Sequence, residues 1–185
     1  MRKIMQLAGK RKDKKGLRDY AMLRLIYDLG LRRAEVVGLD IEDLDLEASK
    51  ILVLGKGRYQ KETLSLPKPT KRALIKWIEE RGRENGPLFP NFDLATHWKG
   101  QRLTGYSLWS IVRQLGEKIG IKVWPHGIRH TSITQACKLA QEKGFYLEEV
   151  RDFSRHKDVK TVMIYRDRER NVQGQLATLV AATIK

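Results

Sequence analysis

The run Ile51-Leu-Val-Leu-Gly-Lys-Gly57, followed by Lys61-Glu-Thr-Leu-Ser-Leu66, decides the architecture of this chain. Four consecutive apolar residues read as a strand, and glycines on either side of Lys56 read as a turn. Residues 61 to 66 form the return strand, stopped by Pro67. The predicted unit is a β-hairpin with Lys56 on or beside its turn. Everything around it has helical periodicity. Tyr20, Leu23, Ile26 and Tyr27 recur at helical spacing from Leu17 until Gly30 interrupts them, and a second helix over 33–39 buries Val36, Val37 and Leu39. Residues 70 to 81 carry Leu74, Ile75, Trp77 and Ile78 on one face, with Thr70 placed to cap the helix. Pro87, Pro90 and Asn91 break this order, and residues 100 to 105 form another connection.

Helical spacing returns over 107–119 through Leu108, Ile111, Val112 and Leu115, and Pro125 opens a helix running towards Leu139. Two short helices fit 146–153 and 158–165. The expected fold class is mostly α with a small antiparallel β-sheet, an α+β domain over residues 17–170. Residues 1–16, rich in lysine and arginine, read as a basic tail or linker; residues 171–185 read as a C-terminal tail or docking helix.

Composition narrows the partner. Thirty-seven Lys and Arg stand against 22 Asp and Glu, a net charge of +15, in 185 residues of which 41% are apolar. The apolar share supports a core, and the charge favours a polyanion, with nucleic acid first. The single Cys137 forms no internal disulfide and reads as a buried small residue. No zinc spacing links it to the four histidines, so no metal or cofactor is expected. No membrane-spanning run or leader is evident, which points to a cytoplasmic location on nucleoid or host-cell DNA.

Several residues suit phosphate chemistry. His126 and Arg129, three apart, share a helix face; arginine offers a planar fork of donors and imidazole a donor or proton carrier. Lys56 sits where glycines let the backbone approach a ligand. Arg32 and Arg33 stand at a helix start, where the dipole opposes a cation unless an anion is near. Tyr165 offers a nucleophilic phenol if cations favour its phenolate. Each signal is individually common.

Their order is not. Gly30-Leu-Arg-Arg-Ala-Glu35, Gly55-Lys-Gly57, Pro125-His-Gly-Ile-Arg-His-Thr131 and Ser154-Arg-His-Lys-Asp-Val-Lys-Thr-Val-Met-Ile-Tyr165 together resemble the tyrosine recombinase, or phage-integrase, catalytic domain across residues 17–170. The resemblance implies Arg32 as the first catalytic arginine with Glu35 supporting it, and Lys56 as the hairpin lysine. It implies His126 and Arg129 as the His-x-x-Arg pair, His156 as the second histidine, and Tyr165 as the nucleophile. Two positions depart from the pattern: Gly127 stands where polar or acidic residues are common, and Arg155 stands where glycine commonly precedes the second histidine.

The implied activity is metal-independent DNA strand breakage and rejoining through a 3′-phosphotyrosyl intermediate, as in integration or excision by mobile genetic elements. The implied partners are double-stranded DNA and further copies of the chain, four protomers in a synapse, with a monomer in isolation. Arg58, Arg102 and Arg113 are candidate DNA contacts. The family's N-terminal core-binding domain has no counterpart in residues 1–16, so an excised catalytic domain or a short member is expected. A non-catalytic DNA-binding module and a relaxing topoisomerase-like enzyme are the competing readings.

Overall fold

The computed structural model describes residues 1–92, 100–167 and 172–184. The chain divides into two compact units, Met1–Ser132 and Ile133–Lys185. The domain boundary expected at residues 170 and 171 lies outside the described residues.

The first unit opens with helix α1 (Arg2–Lys10), which buries Ile4 and Ala8, one turn apart, in the core against α2 (Lys14–Asp28). A solvated tail does not describe this stretch. Its charges face solvent, but the i, i+4 apolar pair beneath them docks the helix, a pattern hidden by the density of lysine and arginine. Arg11 then ties the turn into α2, bonding Asp13 at 2.9 Å and Asp19 at 3.0 Å. The hydrogen bond from Arg11 holds the Asp13 carboxyl below its ordinary pKa. Replacing Ile4 by alanine should cost about 2–5 kcal/mol of stability, as for other fully buried aliphatic side chains. Urea unfolding measures this, and an unchanged midpoint would return residues 1–16 to the status of a dispensable tail.

Helix α2 buries Ala21, Met22, Leu23, Leu25 and Ile26, and Gly30 follows it with φ 58°, a conformation that favours glycine. The short α3 (Arg33–Val37) comes next. The sheet is antiparallel in the order β1 (Leu44–Asp45), β2 (Lys50–Leu54), β3 (Lys61–Ser65). Ile51 pairs with Leu64 and Leu54 with Lys61, as the hairpin reading requires. Ile51 and Val53 point into the core while Leu52 and Leu54 face outward, so a continuous apolar run covers only one side of the sheet. The turn closes through Arg58 N–H donating to Gly55 O at 3.1 Å, with Gly57 at φ 70°.

Helix α4 (Lys68–Arg81) packs on α2 and buries Leu74, Trp77 and Ile78. Its N-cap is Pro67, not Thr70. Thr70 is fully buried inside the helix and its hydroxyl donates to Asp28, which also pairs with Arg24 at 2.7 Å. The tertiary acceptor wins because a buried hydroxyl needs a partner wherever it lies. Helix α5 (Gly105–Glu117) starts at Thr104, whose hydroxyl accepts from Ser107 N–H at 3.1 Å.

Helix α6 (Pro125–Lys143) begins at the expected proline, and the division between the units falls within it. In the second unit Ile133, Cys137 and Ala140 form a small core with Val150 of α7 (Leu147–Ser154) and Val162 and Tyr165 of α8 (Val159–Asp167). Burial pushes the Cys137 thiol pKa up, in line with a packing role. Helix α9 (Val172–Ala181) leaves Leu176, Leu179 and Val180 exposed. No described helix is long and apolar enough to cross a membrane.

Candidate active site

In the first unit, the site is built on the chain segment that leaves α2. Gly30 turns the backbone, Leu31 is buried as an anchor, and Arg32 follows immediately before α3. Glu35, 6% exposed, accepts from Arg32 N–H at 2.7 Å through one carboxylate oxygen and from the Arg32 guanidinium at 2.8 Å through the other. One buried carboxylate therefore satisfies the helix start and fixes the guanidinium. This removes the conflict between a cation and the helix dipole by placing an acid between them.

Arg129 reaches the same segment from α6. It is 2% exposed and its guanidinium donates to the Gly30 carbonyl. Ser132, one turn further along, donates to the Tyr27 carbonyl at 2.5 Å, so two α6 side chains lock onto the end of α2. His126 is exposed on the first turn of α6 while Arg129 is buried on the second. The pair thus shares a helix but not an environment. Lys56 is exposed on the hairpin turn.

In the second unit, Tyr165 is 9% exposed and its ring lies nearly parallel to His156, with centroids 5.9 Å apart at 25°. Ser154 Oγ lies 2.9 Å from His156 Nδ1 and donates to the Arg151 carbonyl at 3.0 Å. A hydroxyl has one hydrogen, and a carbonyl can only accept. Ser154 therefore accepts from Nδ1–H, which fixes the orientation of the imidazole. Arg155 has φ 54° and ψ 40°, in the left-handed region, and closes α7. That conformation explains why glycine suits this position: a side chain there costs roughly 1–2 kcal/mol. Arg155 adopts the required backbone despite the cost.

The three candidate DNA arginines all have partners within the protein. Arg102 donates to the carbonyls of Val37 at 3.0 Å and Leu39 at 2.8 Å and pairs with Asp40 at 2.5 Å. Arg58 pairs with Glu62 at 2.5 Å, and Arg113 with Glu117 at 3.1 Å while lying over Trp109. Arg58 and Arg113 sit in single surface pairs that a phosphate can displace. Arg102 is a clamp on the end of α3. Its replacement by alanine should lower stability by about 1–3 kcal/mol by leaving carbonyls without their donor. Thermal melting checks this, and a variant that melts normally but loses DNA affinity would return Arg102 to the DNA surface.

Reading the sequence missed Ser154 as the group that sets the His156 tautomer and the Gly30 carbonyl as the anchor of Arg129. A hydroxyl two residues before a histidine was the one available signal for Ser154. Nothing local marks a carbonyl as an acceptor. Cavities of about 440, 760 and 910 Å³ open on the first unit, none lined by Arg32, Lys56, His126 or Arg129.

Residues 1–171 match the model of the phage integrase family. A tyrosine recombinase of Synechocystis sp. is 36% identical over 171 residues, covering 90% of this chain and 53% of that protein. The tyrosine recombinase XerD of Listeria monocytogenes is 33% identical over 153 residues, covering 81% of this chain and 50% of its own. The chain spans about half the length of these relatives. Among solved structures, XerH recombinase in a post-cleavage complex with a palindromic difH substrate superposes with a TM-score of 0.75 at 25% identity, covering 97% of this chain and 51% of that one. XerA recombinase gives 0.72 at 23% identity, covering 100% of this chain and 61% of that one, and supports the fold.

Proposed function

We propose that this chain, which belongs to the phage integrase family, breaks and rejoins double-stranded DNA through a covalent bond to Tyr165. The observation that carries the reading is the construction around Tyr165: its ring lies against His156, whose tautomer Ser154 sets. Family membership, and a structural relative described as bound to its DNA substrate, support it.

The chemistry is a transesterification. Tyr165 Oη attacks the scissile phosphorus, a new P–O bond forms, and the bond to the 5′-oxygen breaks. The phenolic proton passes to His126, which is exposed and free to exchange it with solvent, while Lys56 gives a proton to the departing 5′-oxygen. Arg32, oriented by Glu35, and Arg129, held by Gly30, bind the non-bridging oxygens and stabilise the added charge. His156, held by Ser154, donates to the phosphate and positions it. Attack by a 5′-hydroxyl on the phosphotyrosine reverses these steps and releases the enzyme.

Joining two duplexes needs several protomers, and we assign the exposed apolar residues of α9, Leu176, Leu179 and Val180, to contact with a neighbouring copy. The test is incubation with a panel of nicked suicide duplexes, followed by a denaturing gel. A band shifted by the mass of the DNA strand, with undiminished yield in EDTA, is expected. DNA binding without any adduct would favour a binding module, and supercoil relaxation without strand exchange would favour a topoisomerase-like enzyme.

A further inference from the structure

The helix that carries His126 and Arg129 starts at an unusual residue. Ile128 N–H donates to the Trp124 carbonyl at 3.1 Å, which puts Trp124 at the N-cap of α6, just before Pro125. Small polar residues are favoured there because they can cap a free N–H, and an indole offers no such acceptor. Nor does Trp124 serve the core, since it is 44% exposed where Trp77 is fully buried. Trp77 donates its indole N–H to the Leu88 carbonyl at 2.8 Å; the Trp124 N–H has no acceptor among the described residues.

The indole is nevertheless held in place. A Cβ added to Gly127 would lie 3.6 Å from Trp124 Cε2 and 3.7 Å from Nε1, so the five-membered ring lies back over the first turn of α6. These are ordinary van der Waals distances, so the ring packs on this turn without crowding it. Trp124 and Gly127 thus share one turn. The packing places a flat, partly dehydrated aromatic surface and an available N–H donor within two residues of exposed His126.

We infer that Trp124 is a substrate-positioning residue, whose indole packs on the nucleotide adjoining the scissile phosphate. The inference rests on the strand-transfer reading for where that nucleotide lies. A nucleotide presents a sugar or base face for the ring and phosphate oxygens for the N–H, and the +15 chain draws in a polyanion. A second copy of the chain would need an apolar patch larger than one indole.

The test uses the full chain carrying Tyr165→Phe, which cannot form the adduct, and a fluorophore-labelled duplex. Trp124→Ala should weaken binding about tenfold, the value of one stacked ring, and Trp124→Phe no more than about threefold. Tryptophan emission of the parent should fall on adding unlabelled duplex, and most of that fall should vanish in Trp124→Phe. With the nucleophile restored, Trp124→Ala should raise the half-saturating DNA concentration more than it lowers the limiting rate. Equal binding by Trp124→Ala and its parent, with unchanged quenching in Trp124→Phe, would overturn the inference. If the unaltered chain never forms an adduct, strand transfer fails alone, and the binding and quenching arms still decide the role of Trp124. If Trp124→Ala does not fold, the loss or persistence of quenching in Trp124→Phe decides it.

Discussion

Tyr165→Phe is expected to abolish the covalent protein–DNA adduct, a loss on the order of 10⁴-fold or more, while DNA binding changes by less than about twofold. The substitution removes only the phenolic hydroxyl, the proposed nucleophile. Phenylalanine keeps the ring that fills the small core of the second unit and lies against His156. Folding should therefore survive, with a stability change of about 1 kcal/mol, the net value of a typical hydrogen bond. Denaturing gels measure the adduct and anisotropy measures binding. An undiminished adduct would remove Tyr165 from its role, and loss of binding together with the adduct would point to a packing role instead.

Arg129→Lys should reduce adduct formation by about 10² to 10³-fold, comparable to removing one preorganised oxyanion donor. Lysine keeps the charge but lacks the planar fork, so it cannot hold the Gly30 carbonyl and two phosphate oxygens from one rigid group. The residue is almost completely buried, so a second effect accompanies the first. The Gly30 carbonyl loses its donor and the melting temperature should fall. Arg32→Lys is the useful comparison. Its guanidinium is more exposed and paired with Glu35, so its activity loss should come with a smaller stability loss. Single-turnover cleavage rates and thermal melts, measured on the same preparations, separate the two effects. Equal melting and equal cleavage for Arg129→Lys and the unaltered chain would remove Arg129 from the phosphate site.

The hairpin was legible because its determinants are local. Gly57 supplies the positive φ of the turn, and residues on either side of it pair with one another in register. The helix starting at Pro125 was legible for the same reason. Helix α1 was not, because two buried positions, Ile4 and Ala8, are outnumbered by charges that decide nothing about docking. Thr70 failed as a cap because Asp28, 42 residues away, provides a buried acceptor that no local rule can see. Arg155 shows the opposite case. Its departure from glycine flagged the backbone correctly, and the left-handed conformation is what that position demands.

What the sequence alone determined is the family, through a phenol, two arginines, two histidines and a lysine in the order and spacing that mark it, and with them the proposed chemistry. Those depend on residue identity and on turns a few residues long. Tertiary structure decided which cations are held by distant parts of the chain. Arg129 closes on a carbonyl 99 residues away and Arg102 on carbonyls 63 and 65 residues away, and both look alike in sequence as free positive charge. It also decided that Trp124 lies over Gly127 rather than in the core. Burial and hydrogen-bond satisfaction are properties of what surrounds a group, and distant segments supply those surroundings.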